Sequence, residues 1–152
     1  MSSSKIVSKH ASRIGACQVM YQKEITGNNT QVILNNFIKY YLKEEPLLKH
    51  IQLNFFKRLV SYFDNTEFDT DEIIRNSLSE NYSLERMQIM MKCIIKVAIL
   101  EMKFEKTDIP VIINEYVQVS KYFVGQSEFK FVNAILDKIS KNIERKCQEI
   151  NQ

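Results

Sequence analysis

Apolar residues recur every three or four positions along almost the whole chain, and no Asn-Gly or Asp-Gly turn separates two alternating runs. This pattern predicts helices throughout and no strands. A first helix is expected from about Lys5 to Ile25, with Val7, Ala11, Ile14, Gln18, Tyr21 and Ile25 on one side. TGNNT, Thr26 to Thr30, stops it and caps a second, which carries Val32, Leu34, Ile38, Tyr41 and Leu42. That helix is expected to close before Pro46, because the residue ahead of a proline is disfavoured in a helix. A third, rich in Leu and Phe, should run from about Leu47 to Phe63, and Asp69 or Thr70 should cap a short fourth.

Ser83 is expected to cap the fifth, whose MQIMMKCIIKVAILEMKF is apolar around most of its circumference and so belongs at the centre. TDIP starts the sixth, with Asp108 capping and Pro110 in the first turn, and this helix should reach about Phe123. Gly125 then breaks the chain, and Ser127 should cap a seventh helix to about Lys146. From FKFVNAILDK onward, Val132, Ile135, Leu136, Ile139 and Ile143 form one apolar stripe at about 100° per residue. Phe131 falls on its flank, in register with Ser127, Ala134 and Lys138, with Lys130 around the corner.

The expected fold class is therefore all-α: about seven helices, one domain over residues 1–152, built as sub-bundles of about 1–64 and 65–152. At 152 residues and 45% hydrophobic, the chain can build a core without staples, and only three Gly and two Pro favour long elements. Cys17, Cys93 and Cys147 are odd in number and make no CxxC, so a reduced compartment fits best and no metal site is expected. The longest apolar run, CIIKVAIL, is too short to span a membrane. The Ser-rich, acid-free N-terminus superficially resembles a mitochondrial transit peptide, but it continues unbroken into a core helix, so a cytoplasmic protein is expected.

Catalysis has little to build on. His10 and His50 lie in no catalytic motif, and GxSxG, HExxH, P-loop and GxGxxG patterns are absent. Asp69, Asp71 and Glu72 lack the spacing and central glycine of a calcium loop and read as an acidic helix start. No cofactor is implied. Charge is uneven, however. Lys5, Lys9 and Arg13 follow one another along a face of the first helix with no acid before Glu24, and a phosphate backbone would relieve their repulsion. A solvated face is the alternative. Asp64 to Glu85 holds seven acids against Arg75, so Glu67, Asp71, Glu72 and Glu80 form either a solubilising face or a dock for a basic protein. Phe131 and Phe123, beside Lys130 and Lys138, could stack an unpaired base, or Phe131 could pack on the sixth helix.

INEYVQVSKYFVGQSEFKFVNAILDKI, Ile113 to Ile139, resembles the C-terminal signature of the bacterial transcription antitermination family NusB. MKCIIKVAILEM is similar to that family's buried helix and ACQVMYQ to its first helix, so the resemblance runs from about Ser8 to about Ile143. It implies a NusB-like fold of two sub-bundles and a non-enzymatic role. It also implies pairing with the ribosomal protein NusE, and binding of the pair to the single-stranded boxA element of nascent ribosomal RNA. Other Nus factors and RNA polymerase would then be indirect partners.

Carried over, the family's basic motif falls on Lys9, His10 and Arg13, its first-helix tyrosine on Tyr21, and its C-terminal aromatic and lysine positions on Phe123, Lys130 and Phe131. KHASR is poorer in arginine than the family's usual motif, which implies weaker intrinsic RNA affinity and more reliance on NusE. The competing expectation is a protein-interaction module that self-associates as a homodimer, with RNA incidental. A third is an enzyme, because a NusB-like domain also occurs at the front of some ribosomal RNA cytosine methyltransferases; the catalytic part would bring a cofactor-binding glycine motif, which this sequence lacks.

Overall fold

The computed structural model describes residues 2–42, 44, 46 and 49–143, with the side chains considered from residue 9 onward. Among the described residues there are seven α-helices and no strand. The chain forms two compact units, 1–65 and 66–152.

In the first unit α1 (Ser2–Thr26) packs against α3 (Leu53–Ser61) and α2 (Thr30–Asn36). From Ala11 to Met20 α1 is buried almost all the way round, with Ala11, Ile14, Ala16, Cys17, Val19 and Met20 in the core. Gly15 is what allows the close approach: a Cβ there would sit 3.0 Å from Ile51 Cδ1 and 3.2 Å from Phe56 Cε1. Asn29 caps α2, its side chain accepting from the N–H of Gln31 (2.9 Å) and of Val32 (3.4 Å).

Two boundaries differ from the sequence expectation. The second helix widens into a π-type turn over Phe37–Tyr41, closed by the Leu42 N–H donating to the Phe37 carbonyl at 3.3 Å. This keeps Phe37 inside, stacked on Tyr41 and tilted against Phe56, both with centroids 5.4 Å away. The third helix starts at Leu53, not near Leu47; Leu47 and Leu48 lie outside the described residues. Its start is fixed from a distance, because the buried Ser12 hydroxyl accepts from the Gln52 N–H (2.8 Å) and donates to the Gln52 carbonyl (3.1 Å).

In the second unit α5 (Ile89–Phe104) packs with α4 (Thr70–Ser77), α6 (Ile109–Phe123) and α7 (Phe129–Asn142). Ten of its sixteen residues are buried, as an all-round apolar helix requires. Each large aliphatic side chain so buried contributes about 1.5–3 kcal/mol. Two polar groups inside satisfy each other: the Tyr116 hydroxyl on α6 donates to Glu101 Oε1 on α5 at 2.7 Å, both fully buried. Val132, Ile135, Leu136 and Ile139 form the buried stripe of α7, while Ile143 has already left the helix in an extended conformation.

Starts and stops shift here too. Asp69, rather than Thr70, caps α4 by accepting from the Glu72 N–H at 3.2 Å. Ser83 precedes only a 3₁₀ turn, Leu84–Arg86, because Met87 and Gln88 are extended and Met87 is drawn into the core; α5 begins after them. Asp108 stands at the N-cap of α6 with no side-chain capping bond, and Pro110 occupies the first turn. Gly125 turns the chain at φ +102°, a region costly for any residue with a Cβ. Ser127 does not cap α7: Glu128 holds that position, and the Ser127 hydroxyl donates instead to Glu128 Oε1 at 3.1 Å.

Candidate nucleic-acid interface

The basic stripe of α1 divides. The side chain of Lys5 lies outside the described residues. Lys9 is exposed, with Nζ 5.3 Å from the centroid of the Phe55 ring. One turn on, Arg13 lies where the helix is buried on all sides: it is only 2% exposed, its guanidinium 5.2 Å from that same centroid. Arg58, exposed on α3 three residues after Phe55, brings a third cation to 5.5 Å. Phe55 itself is 1% exposed. A ring's negative face attracts cations, by about 0.5–1 kcal/mol each at exposed sites, so one buried phenylalanine gathers three positive charges from two helices.

The surface charge of this face is thus carried by Lys9 and Arg58, with Arg13 as an interior cation, rather than by one solvated row of Lys and Arg. His10 is half-buried beside Lys9. Tyr21 is exposed, but twelve residues along α1 place it about 18 Å from Lys9. Lys23 is committed elsewhere, donating to Asp64 Oδ1 (2.8 Å) and Thr30 Oγ1 (2.7 Å). That bond from Lys23, helped by Thr30, holds the Asp64 carboxyl below the usual carboxylate range despite some desolvation.

In the second unit the candidate aromatics sit on either side of the Gly125 turn. Phe123 is half-buried and meets Tyr122 edge-to-face at 4.8 Å; Tyr122 is 51% exposed. Lys121 Nζ lies 4.5 Å over Phe129, and Lys130 is exposed. Phe131 is half-buried, and the ring stacked on it belongs to neither α6 nor α7. Tyr82, in the turn before α5, stacks on it with centroids 4.9 Å apart and planes 23° apart.

The acidic region is partly neutralised within its own unit. Asp71 pairs with Lys96 (3.3 Å) and Glu85 with Arg75 (3.2 Å). A hydrogen bond from its own backbone N–H, then the Arg75 guanidinium, holds the Glu85 carboxyl below its ordinary range. Glu67, Glu72 and Glu80 are exposed. Among the described residues no cluster of His, Cys, Asp or Glu could hold a metal ion, and no helix is long and apolar enough to cross a membrane.

Sequence reasoning passed over Arg58, Tyr82 and Tyr122. The spacing of Phe55 and Arg58, three apart on one helix, was visible, but only the fold shows that α1 cations meet that ring. Nothing in NYSL marks Tyr82 as a partner of a residue about fifty positions later.

Comparison with known proteins places the chain in one family. The NusB family model matches residues 10–141. The transcription antitermination protein NusB of Rickettsia massiliae is 34% identical over 155 aligned positions, covering 95% of this chain and 99% of that protein. The Rickettsia felis protein of the same name is 35% identical over 150, covering 92% and 96%. Among solved structures, T. maritima NusB superposes with a TM-score of 0.74 at 23% identity over 95% of this chain and 97% of that one. NusB from Aquifex aeolicus superposes with 0.68 at 21% identity over 88% of each chain. A chain in the crystal structure of a plectonemic RNA supercoil gives 0.71 at 21% identity over 89% and 95%.

Proposed function

Because this chain belongs to the NusB family, we propose that it is a cytoplasmic transcription antitermination factor that binds the boxA element of nascent ribosomal RNA together with the ribosomal protein NusE. The observation that carries the RNA part of this reading is the cation cluster on Phe55. Lys9, Arg13 and Arg58 are held within 5.2–5.5 Å of one ring centroid, so the positive charge stays concentrated on one face of the first unit. An RNA phosphate meeting that face is attracted by all three and releases condensed counterions as it binds. Lys9 and Arg58, with His10 beside them, make the outer contacts; Arg13 holds the ring and the local potential from within. Lys5 and Tyr21 extend the same helix's contribution.

Phosphate contacts position a strand but do not read it. Reading is assigned to the second unit, where Phe123, Lys130 and Phe131, with Tyr122 beside them, offer ring surfaces and a cation to splayed bases. The acidic Glu67, Glu72 and Glu80 would face the basic ribosomal protein, with Asp71 already tied to Lys96. Other Nus factors and RNA polymerase would be engaged through that complex. The chemistry is binding only and needs no cofactor.

Fluorescence anisotropy of a labelled boxA RNA and a scrambled control, titrated with the protein alone and with equimolar NusE, tests the reading. NusE should tighten boxA binding selectively, and binding should fall steeply between low and physiological salt. Equal affinity for both RNAs, or none for either, would overturn it. A second reading, self-association, is favoured by the exposure of Ile25 and Val32, both 52%. Gel filtration at a dimer mass with no RNA binding would select it.

A further inference from the structure

The stack between Tyr82 and Phe131 is built in a way the base-reading role does not by itself require. Phe131 lies on α7 between exposed Lys130 and fully buried Val132, so its backbone is fixed by the core. Tyr82 lies in a turn that is equally constrained. Its N–H donates to the Ser79 carbonyl at 3.0 Å, Leu84 and Met87 anchor the following residues in the core, and Glu85 pairs with Arg75. Two rings from elements far apart in sequence thus lie nearly parallel. Phe131, half-buried, has one face covered by Tyr82, whereas Tyr82 remains 39% exposed.

We propose that Tyr82 is the outer plate of this stack and receives an unpaired RNA base, with Phe131 as the backing ring. The inference deepens the RNA-binding reading and rests on it. A ring already stacked and already ordered loses little conformational freedom when a base settles on it, so most of the stacking free energy is realised. Charge sets the mode of contact. Glu80, two residues before Tyr82, is exposed and repels phosphate, whereas Lys130 and Arg86 flank the two rings in sequence. What Tyr82 itself presents is an uncharged ring face, which suits a base rather than a phosphate. Its contribution should not depend on salt, unlike that of Lys9 and Arg58. Tyr82 has no precedent in the aromatic positions that the NusB resemblance assigns, which fall on Tyr21, Phe123 and Phe131.

The chain contains no tryptophan, so a Tyr82→Trp variant carries one emission reporter at the proposed contact. Titration with unstructured boxA RNA, with and without NusE, should quench that emission. Anisotropy should show Tyr82→Ala weakened about five- to a hundredfold with an unchanged salt slope, and Tyr82→Phe within about twofold of wild type, since the ring is retained. Matching circular dichroism and thermal unfolding of Tyr82→Phe and Tyr82→Ala establish that folding is not the cause. If Tyr82→Ala binds as wild type while Lys9→Ala is weakened, the stack is not a base platform although RNA binding stands. If wild type binds no RNA under either condition, both readings fall together. Quenching by NusE without RNA would make Tyr82 a protein contact and overturn the proposal.

Discussion

At the basic face of the first unit a ring lies inside and cations gather over it; at the α6–α7 corner of the second, rings reach solvent and cations lie beside them. Phe55 is 1% exposed beneath Lys9, Arg13 and Arg58, whereas Tyr122 and Tyr82 are 51% and 39% exposed, with Lys121 over Phe129 and exposed Lys130 next to Phe131 in the chain. The same residue types therefore yield two kinds of surface. The first is an electrostatic feature whose strength depends on ionic strength. The second is a stacking feature whose strength depends on ring area and preorganisation. The difference follows from where the helices meet. Phe55 faces the α1–α3 seam and is swallowed by it, while Phe131 lies on the flank of its stripe and is stacked by a ring from the turn before α5.

The largest expected effect comes from removing the ring on which the first surface depends. Phe55→Ala should cost about 3–5 kcal/mol in chemical denaturation, and should weaken RNA binding further than Lys9→Ala alone, because the cations lose their common anchor. RNA binding that survives Phe55→Ala unchanged in a folded variant would break the comparison. Next, Tyr116→Phe should cost about 1.5–3 kcal/mol, since buried Glu101 loses a donor at 2.7 Å; RNA affinity should not change. That variant separates loss of stability in the second unit from loss of its surface.

The smallest effect concerns Asp64. Its carboxyl is held below the ordinary range by Lys23, so the folded state favours the charged form. This stabilisation is complete above the ordinary carboxylate pKa and is lost as pH falls through that range to the lowered folded value. The side chain is 62% exposed, so screening limits the contribution to under about 1 kcal/mol. Asp64→Asn should lower stability slightly at neutral pH and flatten the acid limb of the stability–pH curve. An identical acid limb in the variant would show that the pair contributes nothing.

The fold class was legible because apolar periodicity is a property of the local chain: α5 is apolar all round and is buried all round. Boundaries were less so wherever a distant residue decides them. Ser12 sets the start of α3 from forty residues away, and core burial of Met87 delays α5 past the local signal at Ser83. The π-type turn at Phe37–Tyr41 was hidden because Phe37 and Tyr41 fit a regular helix equally well in sequence. At the candidate site, spacing put Lys9 and Arg13 in one row along α1, but could not show that the helix is buried on all sides from Ala11 to Cys17. Tyr82 was invisible because a stack across about fifty residues leaves no local pattern.

The measurement that bears most directly on the account is the salt dependence of boxA binding in the presence of NusE. It would compare wild type with a Lys9→Ala/Arg58→Ala double variant and a Tyr82→Ala/Tyr122→Ala double variant. The first pair should lower the slope of log K against log salt by up to about 1.4, given about 0.7 per phosphate contact on single strands. The second should lower affinity at every salt concentration while leaving the slope unchanged. Equal slopes for all three proteins, or a slope lowered by the aromatic pair instead, would contradict the division between a phosphate-holding face and a base-stacking one.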